Sequence, residues 1–235
     1  MARNANTRYF NARLTKAEII AGWCYLPFYL VLLSVLLQHL FRALQIPLDS
    51  IVLNIAYFSV NLAAVLLIFH NFLRQRFFGE SFWEFLQACI LGFVFYQAGT
   101  WAVQFAVTKL GGTLEIYNND TVEGMVLQNR YVMLAISVVL APVIEETLLR
   151  GLVFGSIRAA PRPMAYITSI FIFTMMHNWQ YFGLYPFGSM LLSCLAYVPA
   201  SAALCWTYEK AGTIWAPITI HAIINAISFG IVVLP

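Results

Sequence analysis

Long uninterrupted apolar runs constrain this chain more than anything else in it. Seven can be marked, at about 19–38, 51–72, 86–107, 131–154, 164–180, 187–207 and 213–233. A helix rises ~1.5 Å per residue, so about 20 residues cross the hydrocarbon of a bilayer. Backbone in lipid must satisfy its own hydrogen bonds, which makes these runs helices. The charge content agrees: 10% of the 235 residues are charged and 61% are apolar, against about 25% charged in a typical soluble domain. A β-barrel would show short segments of alternating polarity instead. The expected fold is all-α: a polytopic transmembrane bundle of about seven helices, forming a single integral membrane domain over 1–235 with a cytoplasmic N-terminal segment at 1–18.

Orientation follows from the basic residues. If the helices alternate, Arg3, Arg8, Arg13, Lys16, Arg74, Arg76, Arg158, Arg162 and Lys210 fall on one side, and Arg42, Lys109 and Arg130 on the other. The positive-inside rule places the N-terminus in the cytoplasm. The first run lacks an A-x-A-type cleavage site and is expected to stay as a helix. The short loops lean toward a bacterial inner (plasma) membrane. In this setting the small net positive charge is an orientation signal and gives no reason to expect a nucleic-acid partner. The loop 108–130 then lies outside, and Asp120-Thr-Val-Glu123 has the form of a capping box opening a short interfacial helix. Cys24, Cys89, Cys194 and Cys205 all sit in apolar runs without metal-type spacing, and read as small buried hydrophobes. Asn61, Gln97 and Gln104 are expected to make hydrogen bonds between helices.

Three charged residues break the pattern. Glu145, Glu146 and Arg150 lie inside the fourth run, in APVIEETLLRG. A charged side chain at mid-membrane costs at least ~2.5 kcal/mol, so its default reading is functional and facing the bundle interior. Glu146 and Arg150 are four residues apart and share a helix face, so they can pair. Glu145 is turned about 100° away and has no cation on its own helix. It is a candidate general base for activating water. The plainer alternative is a buried ion cluster that only locks helix packing.

Two histidines lie inside apolar runs, His177 in the fifth and His221 in the seventh, with Asn225 one turn after His221. Counted from the cytoplasmic helix ends, Glu145 and His177 lie ~20 Å deep, His221 ~12 Å and Asn225 ~18 Å. Three helices can therefore bring these four polar groups to one level. A lone buried histidine is more often a packing residue, and His39 and His70, near helix ends, are of that kind. Convergence is what sets the other two apart.

At these positions the sequence resembles a known family. Glu145-Glu-Thr-Leu-Leu-Arg150 matches EExxxR, Phe173-Thr-Met-Met-His177 matches FxxxH and His221-Ala-Ile-Ile-Asn225 matches HxxxN. The three motifs occur in this order in the CAAX-protease and bacteriocin-processing family of intramembrane endopeptidases, which includes the type II CAAX prenyl endopeptidases. They cover about 131–230; the first three helices carry no matching motif. The resemblance implies that Glu145 and His177 activate the attacking water, that His221 and Asn225 donate to the oxyanion, and that Glu146, Arg150 and Phe173 support them. A metal on Glu145 would leave no obvious base unless Glu146 took that role, so no cofactor is favoured. A zinc ion held by Glu145, His177 and His221 is the alternative. Implied substrates are membrane-embedded or lipid-anchored peptides, prenylated CAAX proteins among them, reaching the site laterally or from the cytoplasmic side. Two other functions compete: a non-proteolytic scaffold or bacteriocin-immunity protein on the same fold, and a small carrier using Glu145 and the histidines as a proton relay.

Overall fold

The structure is a computed structural model that describes residues 10–158 and 161–233; Arg3 and Arg8 lie outside them. Seven long helices and a shorter α4 carry most of the described chain: α1 (Lys16–Ala43), α2 (Ser50–Ile68), α3 (Phe82–Lys109), α4 (Tyr117–Gln128), α5 (Arg130–Ile157), α6 (Arg162–Asn178), α7 (Phe187–Ala211) and α8 (Trp215–Val233), with single helical turns at His70–Leu73 and Trp179–Tyr181. Each apolar run has become a helix. Five of them (α1, α2, α3, α5 and α7) are long and apolar enough to cross a membrane. α6 has 17 residues and α8 is apolar over Trp215–Gly230. α6 packs between α5 and α7, which shield part of it from lipid. Large apolar side chains such as Leu67, Trp101, Phe105 and Ile167 point outward. In water such a surface would be a liability; in a bilayer it is the lipid-facing side. The chain is a helical membrane bundle.

The core gathers around α5. Val65, Phe69, Phe72, Ile144, Leu148, Leu149 and Leu152 are completely buried. Here helices approach closely because glycines leave room: a Cβ at Gly22 would meet the Phe69 ring at 2.6 Å and Leu152 at 2.9 Å, and one at Gly151 would meet the Phe72 ring at 2.7 Å.

The two poles of the bundle are built differently. At the N-terminal pole the chain is tied down by charge. Thr15 opens α1 with a reciprocal capping box, and Glu18 also accepts the Phe72 N–H at 2.7 Å. Glu209 of α7 binds Arg158 at 2.6 Å, Arg162 at 2.7 Å and the Tyr166 hydroxyl at 2.8 Å. Arg13 pairs with Glu80 at 2.9 Å. At the opposite pole α4 lies across the helix ends. Tyr117 stacks on Tyr185 at 3.7 Å, the Thr121 and Tyr181 hydroxyls are 2.7 Å apart, and Met125, Val126, Met133, Ile136 and Phe229 form a small apolar cluster.

Three expectations need correction. α4 begins at Tyr117, not after Asp120, and no side chain caps it, so Asp120 and Glu123 form no capping box. The Tyr117 ring is buried and stacked, and that packing fixes the start of α4 in place of a polar cap. Of the cysteines only Cys205 is buried; Cys24 is exposed on the apolar surface, where a thiol is tolerated as a small hydrophobe. Asn61 does join helices, accepting from the Tyr25 hydroxyl at 2.6 Å. Gln104 instead bonds Thr108 of its own helix at 3.3 Å, because it sits on the outer face.

Candidate active site

The site begins with a defect in α5. Two stretches of this helix, Ala135–Leu140 and Thr147–Phe154, run in π register, with Glu145 and Glu146 in the normal turns between them. Pro142 explains the loose end of the first stretch. The Ala141 N–H reaches back to the Ile136 carbonyl, so the next partner, for the Ser137 carbonyl, would be residue 142. Proline has no N–H to give. The Asn225 side chain of α8 donates to that carbonyl at 2.7 Å. One N–H of the Asn225 amide is thus committed to repairing the helix, which leaves the other. Such π-bulges recur at functional sites because they reset which residues face a cavity.

Glu146 and Arg150 form the buried floor. Both are fully buried and joined at 2.9 Å, as their spacing on one face demands. The second guanidinium nitrogen donates to the Ser201 hydroxyl at 3.0 Å and to its carbonyl at 3.3 Å. The guanidinium also lies over the Phe173 ring, 4.5 Å from its centroid. The same Glu146 oxygen, Oε1, also accepts from His221 Nδ1 at 2.8 Å. A carboxylate cannot donate, so the Nδ1 position carries the proton. His221 Nε2 is left facing Glu145.

His177 is fixed in the same way. In the last turn of α6, its Nδ1 donates to the Phe173 carbonyl at 2.9 Å. Its ring stacks on Tyr197 of α7, with centroids 4.6 Å apart. Nε2 of His177 lies 3.9 Å from Glu145 Oε2, and Nε2 of His221 lies 4.0 Å from the same atom. That oxygen is buried and makes no hydrogen bond among the described residues. All of this borders one cavity of about 860 Å³, lined by Glu145, His177, His221 and Asn225 among others. The four candidate residues thus meet at one place. The Glu145 carboxylate stands apart from Arg150 and between the two imidazoles.

A tetrahedral zinc ion with bonds of ~2.0–2.1 Å would hold its ligand atoms about 3.3 Å apart. The separations here are wider, and among the described residues no three His, Cys, Asp or Glu side chains gather as a metal-ligand set. As arranged, Glu145, His177 and His221 do not fit a closed zinc site, and no step below runs through a metal.

Residues 127–227 match the family model described as type II CAAX prenyl endopeptidase, Rce1-like. This part of the chain is related to the CAAX proteases. No curated protein and no solved structure matches the chain. The three motifs of the CAAX-protease-like region all fall inside the match, while α1, α2 and α3 lie outside it. Those outer helices still contribute: Tyr29 and Tyr57 border the cavity, with the Tyr57 hydroxyl bonded to the Tyr29 carbonyl at 2.7 Å.

Sequence reasoning missed Tyr197 and Ser201. They sit four residues apart on α7, one against His177 and the other against Arg150. The same-face spacing of two polar side chains in an apolar run was the available signal. It also missed Glu18, although Thr15-Lys-Ala-Glu18 has the capping-box form.

Proposed function

We propose that this chain is an intramembrane endopeptidase, using a Glu145-activated water to hydrolyse peptide bonds in membrane-embedded or lipid-anchored substrates. The observation that carries the reading is the convergence of two orientated imidazole Nε2 atoms on one otherwise unbonded carboxylate oxygen, inside a cavity in the bundle. The family match supports it. In this reading the N-terminus is cytoplasmic, as the distribution of basic residues suggests, and the membrane is a bacterial inner membrane, toward which the short loops lean.

The chemistry follows from the acceptors. A water placed between Glu145 Oε2 and His177 Nε2 gives one hydrogen to each, because both are acceptors in this arrangement. Its free lone pair then attacks the scissile carbonyl carbon. The water proton passes to Glu145, which later delivers it to the leaving amine nitrogen. The developing oxyanion needs donors. The residues placed to supply them are His221, whose Nδ1 is held by Glu146, and Asn225, through the amide N–H that Ser137 does not take. Arg150, Ser201 and Phe173 hold Glu146, and so His221, in place. No metal takes part.

The test is cleavage by purified protein in nanodiscs of farnesylated CAAX peptides and a set of transmembrane peptides, with and without a chelator. Glu145→Gln and His177→Ala abolish cleavage while each variant stays folded, and the chelator changes nothing. Cleavage undiminished in Glu145→Gln sinks the glutamate mechanism, and loss on chelation restores the metal. Should Glu145→Gln leave the cellular phenotype intact with the protein still accumulating, the chain is a scaffold or immunity protein.

A further inference from the structure

We propose that the cavity takes its substrate from the non-cytoplasmic pole of the bundle, and that the substrate is a neutral or cationic peptide segment. This rests on the proteolytic reading above and departs from the expectation of cytoplasmic entry.

The first observation is where each helix touches the cavity. Apart from α7, which borders it at mid-helix from Ala196 to Leu204, the cavity is lined chiefly by the C-terminal parts of α1, α3, α6 and α8, for example at Gln38, Val103, His177 and Ser228, and by the N-terminal parts of α2 and α5, for example at Asn54 and Met133. In a bundle of alternating helices these are all the same end, the one opposite the start of α1. Much of α4 also borders the cavity, from Asn118 to Val126.

The second observation is that the other end is closed. Below Glu145 come the fully buried Glu146, Arg150 and Ser201, then Leu149, Leu152, Phe154 and Tyr208, with at most 1% of any of them exposed. Below these lies the network of Glu18 and Glu209. A peptide cannot pass this floor without breaking the ion pair that positions His221.

The third observation assigns the ends to compartments. The closed end carries Arg13, Lys16, Arg74, Arg76, Arg158, Arg162 and Lys210 among the described residues. The open end carries Arg42, Lys109 and Arg130, set against Asp49, Glu115, Asp120 and Glu123. An excess of Lys and Arg marks the cytoplasmic face. The mouth is therefore non-cytoplasmic.

The lining also speaks to substrate charge. Glu123 and Glu145 are its charged residues, and no Lys or Arg borders the cavity among the described residues. A carboxylate brought inside finds no Lys or Arg to pair with, and burying a charge unpaired is costly. A free C-terminal carboxylate beside the scissile bond is thus disfavoured, and an internal segment, amidated or basic, is accepted.

The experiment labels single added cysteines with a charged, membrane-impermeant maleimide in sealed right-side-out vesicles. Glu123→Cys marks the mouth and Lys210→Cys the closed end; the parent chain, with its four native cysteines, sets the background. Glu123→Cys is labelled in sealed vesicles and Lys210→Cys only after permeabilisation. Labelled Glu123→Cys then loses most of the cleavage shown by the same variant unlabelled, whereas labelling Lys210→Cys leaves cleavage unchanged. An amidated peptide is cleaved faster than its free-acid form. The reverse labelling pattern, no labelling of Glu123→Cys in sealed vesicles, full cleavage after it is labelled, or preference for the free acid each overturns the proposal. The labelling is repeated in the Glu145→Gln background, where it needs no catalysis. If Glu123→Cys labels there as expected while no peptide is ever cleaved, the proteolytic reading fails and the mouth still stands where proposed.

Discussion

The two ends of this bundle use their polar residues in opposite ways. At the basic end every carboxylate described above is spent on structure: Glu18 ties α1 to the turn after α2, and Glu209 ties α5, α6 and α7 together. At the cavity end Glu145 is held back, its Oε2 buried without a hydrogen bond. Glu146 and Arg150 mark the boundary, since one oxygen of Glu146 serves Arg150 on the structural side and His221 on the chemical side. A membrane interior makes each unpaired polar group costly. Several of the buried polar atoms that lack a hydrogen bond, those of Glu145, Glu146, Arg150 and Tyr197 among them, gather at and just beneath the cavity, where a reaction can use that cost.

The comparison predicts that stability and activity separate along the axis. The largest effect belongs to Glu145→Gln. It removes the base without removing a protein–protein hydrogen bond of Oε2, so thermal unfolding in nanodiscs stays at the parental midpoint while kcat/KM for peptide cleavage falls by ~10²–10⁴. A drop in unfolding temperature comparable with that of a core mutation would place Glu145 among the structural carboxylates and erase the contrast.

Arg150→Ala comes next and strikes the boundary. It strands Glu146 as a buried charge, at a cost of about 3–5 kcal/mol. It also takes from Glu146, the partner of His221, the cation that holds it in place. Both readouts therefore fall together, unlike those of any residue on either side. Arg150→Lys keeps the charge but lacks the fork that reaches Glu146 and Ser201 at once. It recovers part of the stability and less of the activity. If Arg150→Lys restores both equally, Ser201 has no positioning role.

Gly22→Ala tests the closed end alone. Its new methyl meets Phe69 and Leu152, and overpacking of this kind costs about 1–3 kcal/mol. Activity per folded molecule is expected to be unchanged, measured as cleavage normalised to the cooperatively unfolding fraction. Lost specific activity at full folding would show that the floor transmits strain to the site.

How much of this could be read in advance differs between the ends as well. The seven helices were legible because continuous apolar runs leave the backbone one solution in lipid. The four converging polar residues were legible because charge and imidazole are costly there, and the spacing of Glu146 and Arg150 forced their pairing. What escaped depended on partners distant in sequence. Nothing in Asn225 announces that it repairs the Ser137 carbonyl, since that need arises from the π register ahead of Pro142. Tyr197 and Ser201 looked like ordinary α7 residues until α6 and α5 were packed against them. The start of α4 was misplaced because polar cap chemistry was weighed and the stacking of Tyr117 on Tyr185, an unforeseeable long-range contact, was not.

The smallest predicted effect concerns α4, which closes over the cavity through few contacts. Thr121→Val removes the hydroxyl pair with Tyr181, a bond whose net value is about 0.5–1.5 kcal/mol. The helices below do not depend on it, so the global unfolding midpoint stays put. The loss falls on the opening equilibrium of α4 alone, and a shift of ~1 kcal/mol there raises the open population roughly fivefold. Amide exchange across 117–128 therefore quickens while exchange in α5 does not. If opening of α4 limits substrate entry, kcat/KM rises by a similar factor for a long peptide and less for a short one. Faster exchange without any change in cleavage would mean that α4 covers the cavity but does not control access to it.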